Sequence, residues 1–387
     1  MNTAVRAALR EDLRHALEAT GEPGSVELCD AVRELLDGAD PADRVDLRRL
    51  KAQVYRLEIG SGDLQRTVVV KRLEPSRAER NRLVAERWLP SLALGDRCAR
   101  LLAVAADRRG ESVWHIYEDL SDDTLSARPV LERVDAAVDL VAELHTRAAR
   151  HAVLPDVRRY GGDRGMPYFV SNVRDAIAAL EALAASGLET PPEHAGLPDR
   201  LRERLIGLLA EVPRRARVFE DAAGPDTLLH GDLWTTNIFV SESVEGPRAR
   251  LIDWDHVSVG PFSYDLSTFL FRFPPALRPR ILERYRHAVS RAGWRLTSSP
   301  ELDLLFDTAE RARYANRVIW PVLALLQEHA AWGFPELAEV ERWFQALEGL
   351  PRSGSSSPGM TSGRAEGSTV GSSEHTATRS SRPRACS

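Results

Sequence analysis

Lysine is almost absent from this chain. Of its 52 basic residues only Lys51 and Lys71 are lysines, which leaves 50 arginines. A Walker A loop needs glycine directly before its lysine, whereas leucine and valine precede these two, so a P-loop nucleotidase is excluded. None of the ten histidines is followed by glutamate, and no G-x-S-x-G segment occurs. H-E-x-x-H zinc peptidases and α/β-hydrolases are therefore excluded as well.

Cysteines and long apolar runs are also scarce. The three cysteines, Cys29, Cys98 and Cys386, form no C-x-x-C pair, so neither a disulfide framework nor a zinc knuckle is expected. The longest uncharged apolar stretch, residues 318–326, is nine residues long, against roughly 20 needed to cross a bilayer. The charged first residues lack the apolar segment of a secretion signal. These features predict a cytoplasmic protein without a membrane segment.

The composition changes at residue 351. From there to residue 387, eleven of 37 residues are serine and large apolar side chains are rare. Such a segment buries too little surface to offset the entropy lost on ordering, so we predict a disordered C-terminal tail. Because the tail carries +3 of a total charge of −5, the rest of the chain stands at −8. This mildly acidic body argues against nucleic acid as a partner.

Hydrophobic periodicity indicates an α+β fold. Two helices are predicted within residues 1–40, followed by strands at 54–59, 67–73 and 112–118, with a helix at 77–93 between the last two. The chain after residue 119 is mainly helical. Its predicted helices lie at 130–150, 170–186, 198–212, 278–292, 302–330 and 336–349, and short β runs at 227–229, 238–240 and 249–252 interrupt them.

Two polar segments flank those short β runs. The first, HGDLWTTN, places Asp232 and Asn237 five residues apart on a loop, and the second delivers Asp253, 21 residues after Asp232. Phosphoryl transfer requires a carboxylate that orients the attacking hydroxyl, together with oxygen ligands that hold Mg²⁺ against the phosphates. The D-x₄-N spacing is that of a protein-kinase catalytic loop, and Asp253 stands where a second magnesium ligand is expected.

LLHGDLWTTNIFV followed by LIDWDHVSVGPFSYDLSTFL resembles the signature of the aminoglycoside phosphotransferase and choline kinase family, whose fold is protein-kinase-like. The resemblance implies two lobes, a small mainly-β N-lobe and a larger mainly-α C-lobe. It predicts an N-terminal helical extension at 1–44, an N-lobe with a nucleotide-binding sheet and helix at 45–119, a helical C-lobe with the catalytic and metal-binding loops at 120–350, and the tail at 351–387.

The resemblance also implies a role for each polar residue of the two motifs. Asp232 is the expected catalytic base, while Asn237 and Asp253 are the expected magnesium ligands. Asp265 in YDLS is expected to tie the loops together, and His230 to hydrogen-bond the loop backbone rather than carry a proton. Asp255 lies two residues after Asp253, so an error of two residues in matching the motif would assign the role of Asp253 to Asp255.

In the N-lobe, Lys71 ends the strand TVVVK and is the expected contact of the α and β phosphates. A lysine at this position in an arginine-rich chain is informative, because a forked guanidinium replaces a compact ammonium poorly. A helix glutamate is expected to hold it, Glu86 by preference over Glu79. Backbone groups of Tyr117, Glu118 and Asp119 are expected to meet adenine. The segment before Val54, where the nucleotide loop is expected, contains no glycine.

These features predict an ATP- and Mg²⁺-dependent phosphotransferase that acts on a hydroxyl of a small molecule such as an aminoglycoside, amino sugar or amino alcohol. No obligate protein partner is indicated. Two alternatives stay open. HGDLW also resembles the ketosamine kinases, in which glycine usually precedes the asparagine, whereas Thr236 does so here. A nucleotide-binding pseudokinase scaffold is the other alternative, and it predicts a defective catalytic set.

Overall fold

The computed structural model of the chain describes residues 15, 21–35, 44–60, 66–244, 246–297 and 299–348. These divide between two compact units, one formed by the described residues up to Gly165 with those of 221–297, the other by Met166–Glu220 with the described residues from 299 on. The predicted tail and most of the predicted first helix lie outside the described residues. The predicted boundary between lobes at residues 119 and 120 stays a prediction.

The first unit contains a five-stranded antiparallel sheet in the order β1-β2-β3-β5-β4. Its strands are β1 (Arg44–Lys51), β2 (Val54–Gly60), β3 (Arg66–Leu73), β4 (Leu101–Ala106) and β5 (Val113–Glu118). Neither β1 nor β4 is predicted from the sequence. Adjacent arginines interrupt the alternation of β1, and β4 is built from leucine and alanine, which favour helices.

One face of this sheet packs on helix α1 (Ser25–Leu35), the second of the two predicted N-terminal helices. Leu28 and Val32 of the helix are buried against Leu57 and Val70 of the sheet. Residues alternate between the two faces of a strand. The opposite face, which carries Val54 and Lys71, is therefore the one available to a ligand.

A helical segment follows β3 and covers most of the predicted helix at 77–93. It begins with α2 (Pro75–Leu83), continues as a π-helix at Val84–Trp88 and ends in a short α-helical turn at Leu89–Ser91. Proline at the first helical position suits the start of α2, because its missing N–H would have no intrahelical acceptor there. Trp88 is fully buried, and its indole N–H donates to Asp156 at 2.7 Å.

Among the described residues, the rest of the first unit contains two short antiparallel strand pairs and four helices. Strand β6 (Thr227–Leu229) pairs with β9 (Ser258–Gly260), and β7 (Ile238–Ser243) pairs with β8 (Gly246–Leu251). Three of these strands agree with the predicted β interruption, whereas β9 is not predicted. The accompanying helices are α3 (Leu131–Ala148), α4 (Leu154–Gly161), α8 (Ser263–Leu270) and α9 (Arg278–Ser290).

The second unit is helical. It consists of α5 (Met166–Ala185), α6 (Leu197–Ala210), most of α7 (Val212–Ala222), α10 (Ser299–Glu328) and α11 (Gly333–Glu348). Leucines four residues apart on α6, among them Leu197, Leu201 and Leu205, face a core that α5, α10 and α11 complete. Within the described ranges, no helix is both long and apolar enough to span a membrane.

Candidate active site

The HGD segment forms a tight loop directly after β6. Gly231 adopts a φ of 81°, and a Cβ built on it would lie 1.9 Å from the carbonyl oxygen of His256. Glycine is thus required twice at this position, once by the left-handed backbone and once by the close approach of the next loop. The loop can pack this tightly only because residue 231 has no side chain.

Asp265 holds that loop from helix α8. Its fully buried carboxylate accepts the backbone N–H of His230 at 2.7 Å and that of Gly231 at 2.8 Å. His145 of α3 lies 3.4 Å from the same carboxylate. Burial alone would raise the pKa of Asp265, but the hydrogen bond and charge of His145 and the loop amide outweigh it and lower this pKa. This geometry supports the predicted structural role of Asp265.

The His230 ring links the two polar motifs. Its Nδ1 accepts the Asp232 backbone N–H at 3.3 Å, so the proton of a neutral ring lies on Nε2, which donates to the carbonyl oxygen of Ile252 at 2.9 Å. Both ring nitrogens are therefore engaged with backbone groups. The contacts support the predicted part of His230 in loop structure rather than proton transfer.

Asp232 and Asn237 are brought together by a turn. The Asn237 side-chain amide donates to the Asp232 carbonyl oxygen at 3.0 Å and to its carboxylate at 3.3 Å, which orients the carboxylate. The Asn237 carbonyl oxygen accepts the Ile252 backbone N–H at 3.0 Å. Ile252 is thus fixed by Asn237 on one side and by His230 on the other, and the next residue along the chain is Asp253.

Asp253 stands in a strained backbone conformation. Its φ of 68° and ψ of 58° lie in the left-handed region, which non-glycine residues seldom adopt, although asparagine and aspartate do so more often than most. Strain of this kind persists where surrounding contacts impose it, and it clusters at functional sites. Asp255, two residues further along the chain, does not have a positive φ. The left-handed backbone is thus a feature of Asp253 that Asp255 does not share.

Lys71 on β3 bridges both aspartates. Its ammonium lies 2.6 Å from Asp253 and 2.7 Å from Asp255, with the lysine side chain largely buried. Burial opposes the charged amine, but the two carboxylates outweigh it, so the pKa of Lys71 is raised. Burial also opposes the charge of Asp253, yet the neighbouring ammonium groups lower the pKa of its carboxyl well below the usual range. Lys71 and Asp253 are therefore both charged at neutral pH.

Glu86 does not fill the place predicted for it beside Lys71. It lies within the π-helical stretch, where it is exposed and pairs with Arg82 at 3.5 Å, and Glu79 pairs with the same arginine at 3.0 Å. Glu86 faces a surface cleft shared with residues 101–104. The helix instead contributes the buried Asn81, whose amide donates to Asp255 at 2.9 Å. A Lys71–Asp255–Asn81 chain replaces the expected lysine–glutamate pair.

The segment predicted to meet adenine ends β5. Glu118 accepts from Arg250 of β8 at 2.7 Å, and its backbone N–H donates to Arg100 at 3.0 Å. Asp119 accepts from the buried Arg56 at 3.1 Å. Tyr117 lies on the face of Lys71, and burial raises the pKa of its phenol well above the usual value. The contact of this segment with adenine stays a prediction.

Several residues of the site were not predicted from the sequence. Lys51 at the end of β1 lies 2.7 Å from the second oxygen of Asp253, although the segment around it gives only a loop signal. Arg272 lies with its guanidinium 4.0 Å from the ring centre of Trp234. The scarcity of lysine is the signal that could have identified Lys51. Asn81, His145 and Arg272 carry no such mark in the sequence.

Oxygen donors suited to Mg²⁺ are present at the site. The Asn237 amide nitrogen is turned toward Asp232, which leaves its amide oxygen on the opposite side, and Asp253 contributes a carboxylate. The described part of the chain contains no group of three or more His, Cys, Asp or Glu side chains arranged for a metal ion. Mg²⁺ is commonly held by one or two carboxylates together with nucleotide phosphates, so this donor set fits.

Residues 48–298 match the phosphotransferase enzyme family, which is most of the chain. The chain belongs to this family. Membership confirms the resemblance found in the motifs and the prediction of a phosphotransferase that acts on the hydroxyl of a small molecule. No curated protein matches the chain in sequence.

Solved structures agree in fold. A GDP complex of aminoglycoside 2′-phosphotransferase-IIIa aligns over 84% of this chain and 99% of its own, with a TM-score of 0.55 and 13% identity. An ethanolamine kinase from Plasmodium vivax aligns over 82% of this chain and 86% of its own, with a TM-score of 0.52 and 12% identity. A spectinomycin phosphotransferase in complex with ADP and spectinomycin aligns over 79% of this chain and 93% of its own, with a TM-score of 0.52 and 11% identity. The protein-kinase-like two-lobe α+β fold is thereby confirmed.

Proposed function

We propose that the chain transfers the terminal phosphoryl group of ATP to a hydroxyl of an amine-bearing small molecule, such as an aminoglycoside, amino sugar or amino alcohol. One observation carries the proposal. The loop with Asp232 and Asn237 and the loop with Asp253 meet at the backbone of Ile252, and Lys71 reaches the same aspartate from the sheet. This arrangement supports the proposal, because phosphoryl transfer requires a base, oxygen donors for a metal ion and a cation for the phosphates close together.

In this proposal Asp232 orients the acceptor hydroxyl and accepts its proton. Hydrogen bonds from Asn237 hold the carboxylate in one orientation, and Asp265 and His230 hold the loop that carries it. Fixed geometry matters because most of the catalysis in phosphoryl transfer comes from positioning and electrostatic stabilisation. Lys71 neutralises charge on the phosphates, for which its ammonium has to leave the carboxylates it contacts here.

Asp253 and Asn237 would hold Mg²⁺ through oxygen atoms. The ion, when bound, neutralises the charge that develops on the transferring phosphoryl group. The donor set supports magnesium over softer metals, since it contains neither thiolate nor imidazole. The solved relatives in complex with ADP and with GDP support nucleotide binding by this chain. We propose ATP as the phosphoryl donor, and turnover with GTP in its place is the comparison that tests this choice.

The acceptor class rests on the family and on the names of the related structures. An ethanolamine kinase and two antibiotic phosphotransferases share the fold, and the substrates in their names carry both amines and hydroxyls. A ketosamine acceptor is the second candidate, favoured by HGDLW. The pseudokinase alternative is disfavoured, because all four residues are present, with Asn237 contacting Asp232 and Lys71 contacting Asp253.

The test is nucleotide turnover with a panel of acceptors. ADP release from Mg-ATP would be measured with aminoglycosides, amino sugars, choline, ethanolamine and a ketosamine, and Asp232→Asn would be the matched control in every reaction. We expect at least one acceptor to raise turnover above the acceptor-free rate in the native chain only. A chain that binds Mg-ATP but shows no acceptor-dependent turnover would favour the pseudokinase scaffold. Cytoplasmic location and the absence of nucleic acid or protein partners stay predictions.

A further inference from the structure

Both lysines of the chain meet on one carboxylate. Lys51 lies 2.7 Å from Oδ2 of Asp253, while Lys71 lies 2.6 Å from Oδ1. Lys71 is largely buried, whereas the Lys51 side chain is 54% exposed, so a ligand can reach Lys51 from solvent. The scarcity of lysine, which is one of the two sequence signals that mark Lys71, also marks Lys51.

An irregularity in β1 directs Lys51 to this site. Arg49 pairs with Tyr55 and Lys51 pairs with Val54, which leaves Leu50 as an extra residue in the strand. In regular alternation Lys51 would follow Leu47 onto the face covered by α1. The bulge instead places it on the face of Val54, which pairs directly with Lys71. Bulges re-aim side chains in this way.

The turn after Lys51 is short and fixed. Only Ala52 and Gln53 connect β1 to β2, and Gln53 has a φ of 62° with its carbonyl oxygen accepting the Arg72 N–H at 2.9 Å. This turn occupies the place where a loop over the nucleotide phosphates is expected, and it has no glycine. A two-residue turn offers few backbone N–H groups to phosphate, so a cationic side chain is the remaining donor.

An ordinary surface ion pair is the competing explanation for Lys51. Exposed pairs contribute little to stability, and many have no function. Such a pair would carry arginine here, as 50 of the 52 basic positions do. A compact ammonium is instead found at the two positions that share Asp253. It fits between phosphate oxygens and a metal-binding carboxylate better than a planar guanidinium.

We propose that Lys51 is a second phosphate-binding residue, supplied by the bulged end of β1 in place of a glycine-rich loop. The proposal rests on the proposed function. Two ammonium groups neutralise Asp253 and Asp255. In a magnesium complex of a nucleoside triphosphate, the magnesium ion would bind the aspartates. The phosphate oxygens would then accept hydrogen bonds from the two lysines. Lys51 and Lys71 then bind the phosphates from either side of Val54, on one face of the sheet.

Nucleotide affinity of the full chain tests this without turnover. Calorimetry would compare Mg-ATP with adenosine for the native chain, Lys51→Gln and Arg66→Gln. Arg66 is the matched control, because it is exposed and pairs with Ile59 at the far end of β2 and β3 from Lys71. Losing one charge-assisted phosphate contact should weaken Mg-ATP binding by Lys51→Gln about tenfold or more. Adenosine affinity and melting temperature should not change, and Arg66→Gln should bind Mg-ATP within about twofold of the native chain.

Three results would overturn the proposal. If Lys51→Gln bound Mg-ATP as tightly as the native chain, Lys51 would make no phosphate contact, and the proposed function would be unaffected. An equal loss of adenosine and Mg-ATP affinity, or a lowered melting temperature, would assign Lys51 to folding. If the native chain bound no nucleotide at all, the proposed function and this proposal would fall together.

Discussion

Replacing Asp265 with asparagine tests how the catalytic loop is held. The carboxylate accepts two buried backbone N–H groups at 2.7 and 2.8 Å and contacts His145. Asparagine keeps one acceptor oxygen but presents an NH₂ group to the second donor. The loss combines one charged hydrogen bond with one unmatched buried donor, about 3 kcal/mol of unfolding free energy. In a unit of this size, that corresponds to a fall of roughly 6–12 °C in melting temperature.

Thermal unfolding at several pH values would measure the effect, with Asp199→Asn as the control. Asp199 is 71% exposed and lies 3.9 Å from Arg202, so its loss should change stability by less than about 0.5 kcal/mol. The pKa of Asp265 is lowered on folding, so its contribution is present above the unfolded pKa of about 4 and is lost as pH falls through the folded value. The difference between native and Asp265→Asn chains should therefore shrink in acid. Equal melting temperatures at neutral pH would refute the anchoring role.

Three further substitutions address the site. Asp232→Asn should lower turnover by roughly 10²- to 10⁴-fold with unchanged Mg-ATP affinity in calorimetry, and near-native turnover would remove Asp232 from its role. Gly231→Ala should lower the unfolding free energy by about 1 kcal/mol more than Gly110→Ala in urea titrations, because both have positive φ but only Gly231 would collide with a neighbouring carbonyl; equal losses would contradict the close approach. Lys71→Arg should raise the KM for ATP or lower kcat in steady-state assays, whereas unchanged kinetics would exclude a phosphate contact.

Motifs contained in one stretch of chain could be predicted from the sequence. Asp232 and Asn237 lie on the loop between two short strands and Asp253 follows another, and residue type and spacing alone indicate their chemistry. Lys71 could be found because lysine is rare here and because it ends a strongly β-branched run. In each case local sequence carries the information, and the structure places these four residues in mutual contact or on neighbouring backbone.

Contacts that depend on register or on distant chain segments could not be predicted. A single extra residue in β1 decides which face Lys51 occupies, and periodicity does not reveal a bulge in a strand interrupted by arginines. Which of Glu79, Asn81 and Glu86 faces the Lys71 cluster depends on the face of the helix that each residue occupies. The π-helical stretch changes that face for Glu86. His145 reaches Asp265 across 120 residues of sequence.

The most direct test of the account is detection of the transferred phosphoryl group. The native chain and Asp232→Asn would each be incubated with Mg-ATP labelled in its terminal phosphate and with the acceptor that gives the highest turnover. The products would then be separated and identified by mass spectrometry. We predict a labelled phosphate ester of the acceptor hydroxyl that forms with the native chain and is nearly absent with Asp232→Asn. Label released only as inorganic phosphate, or equal ester formation by both chains, would contradict the account.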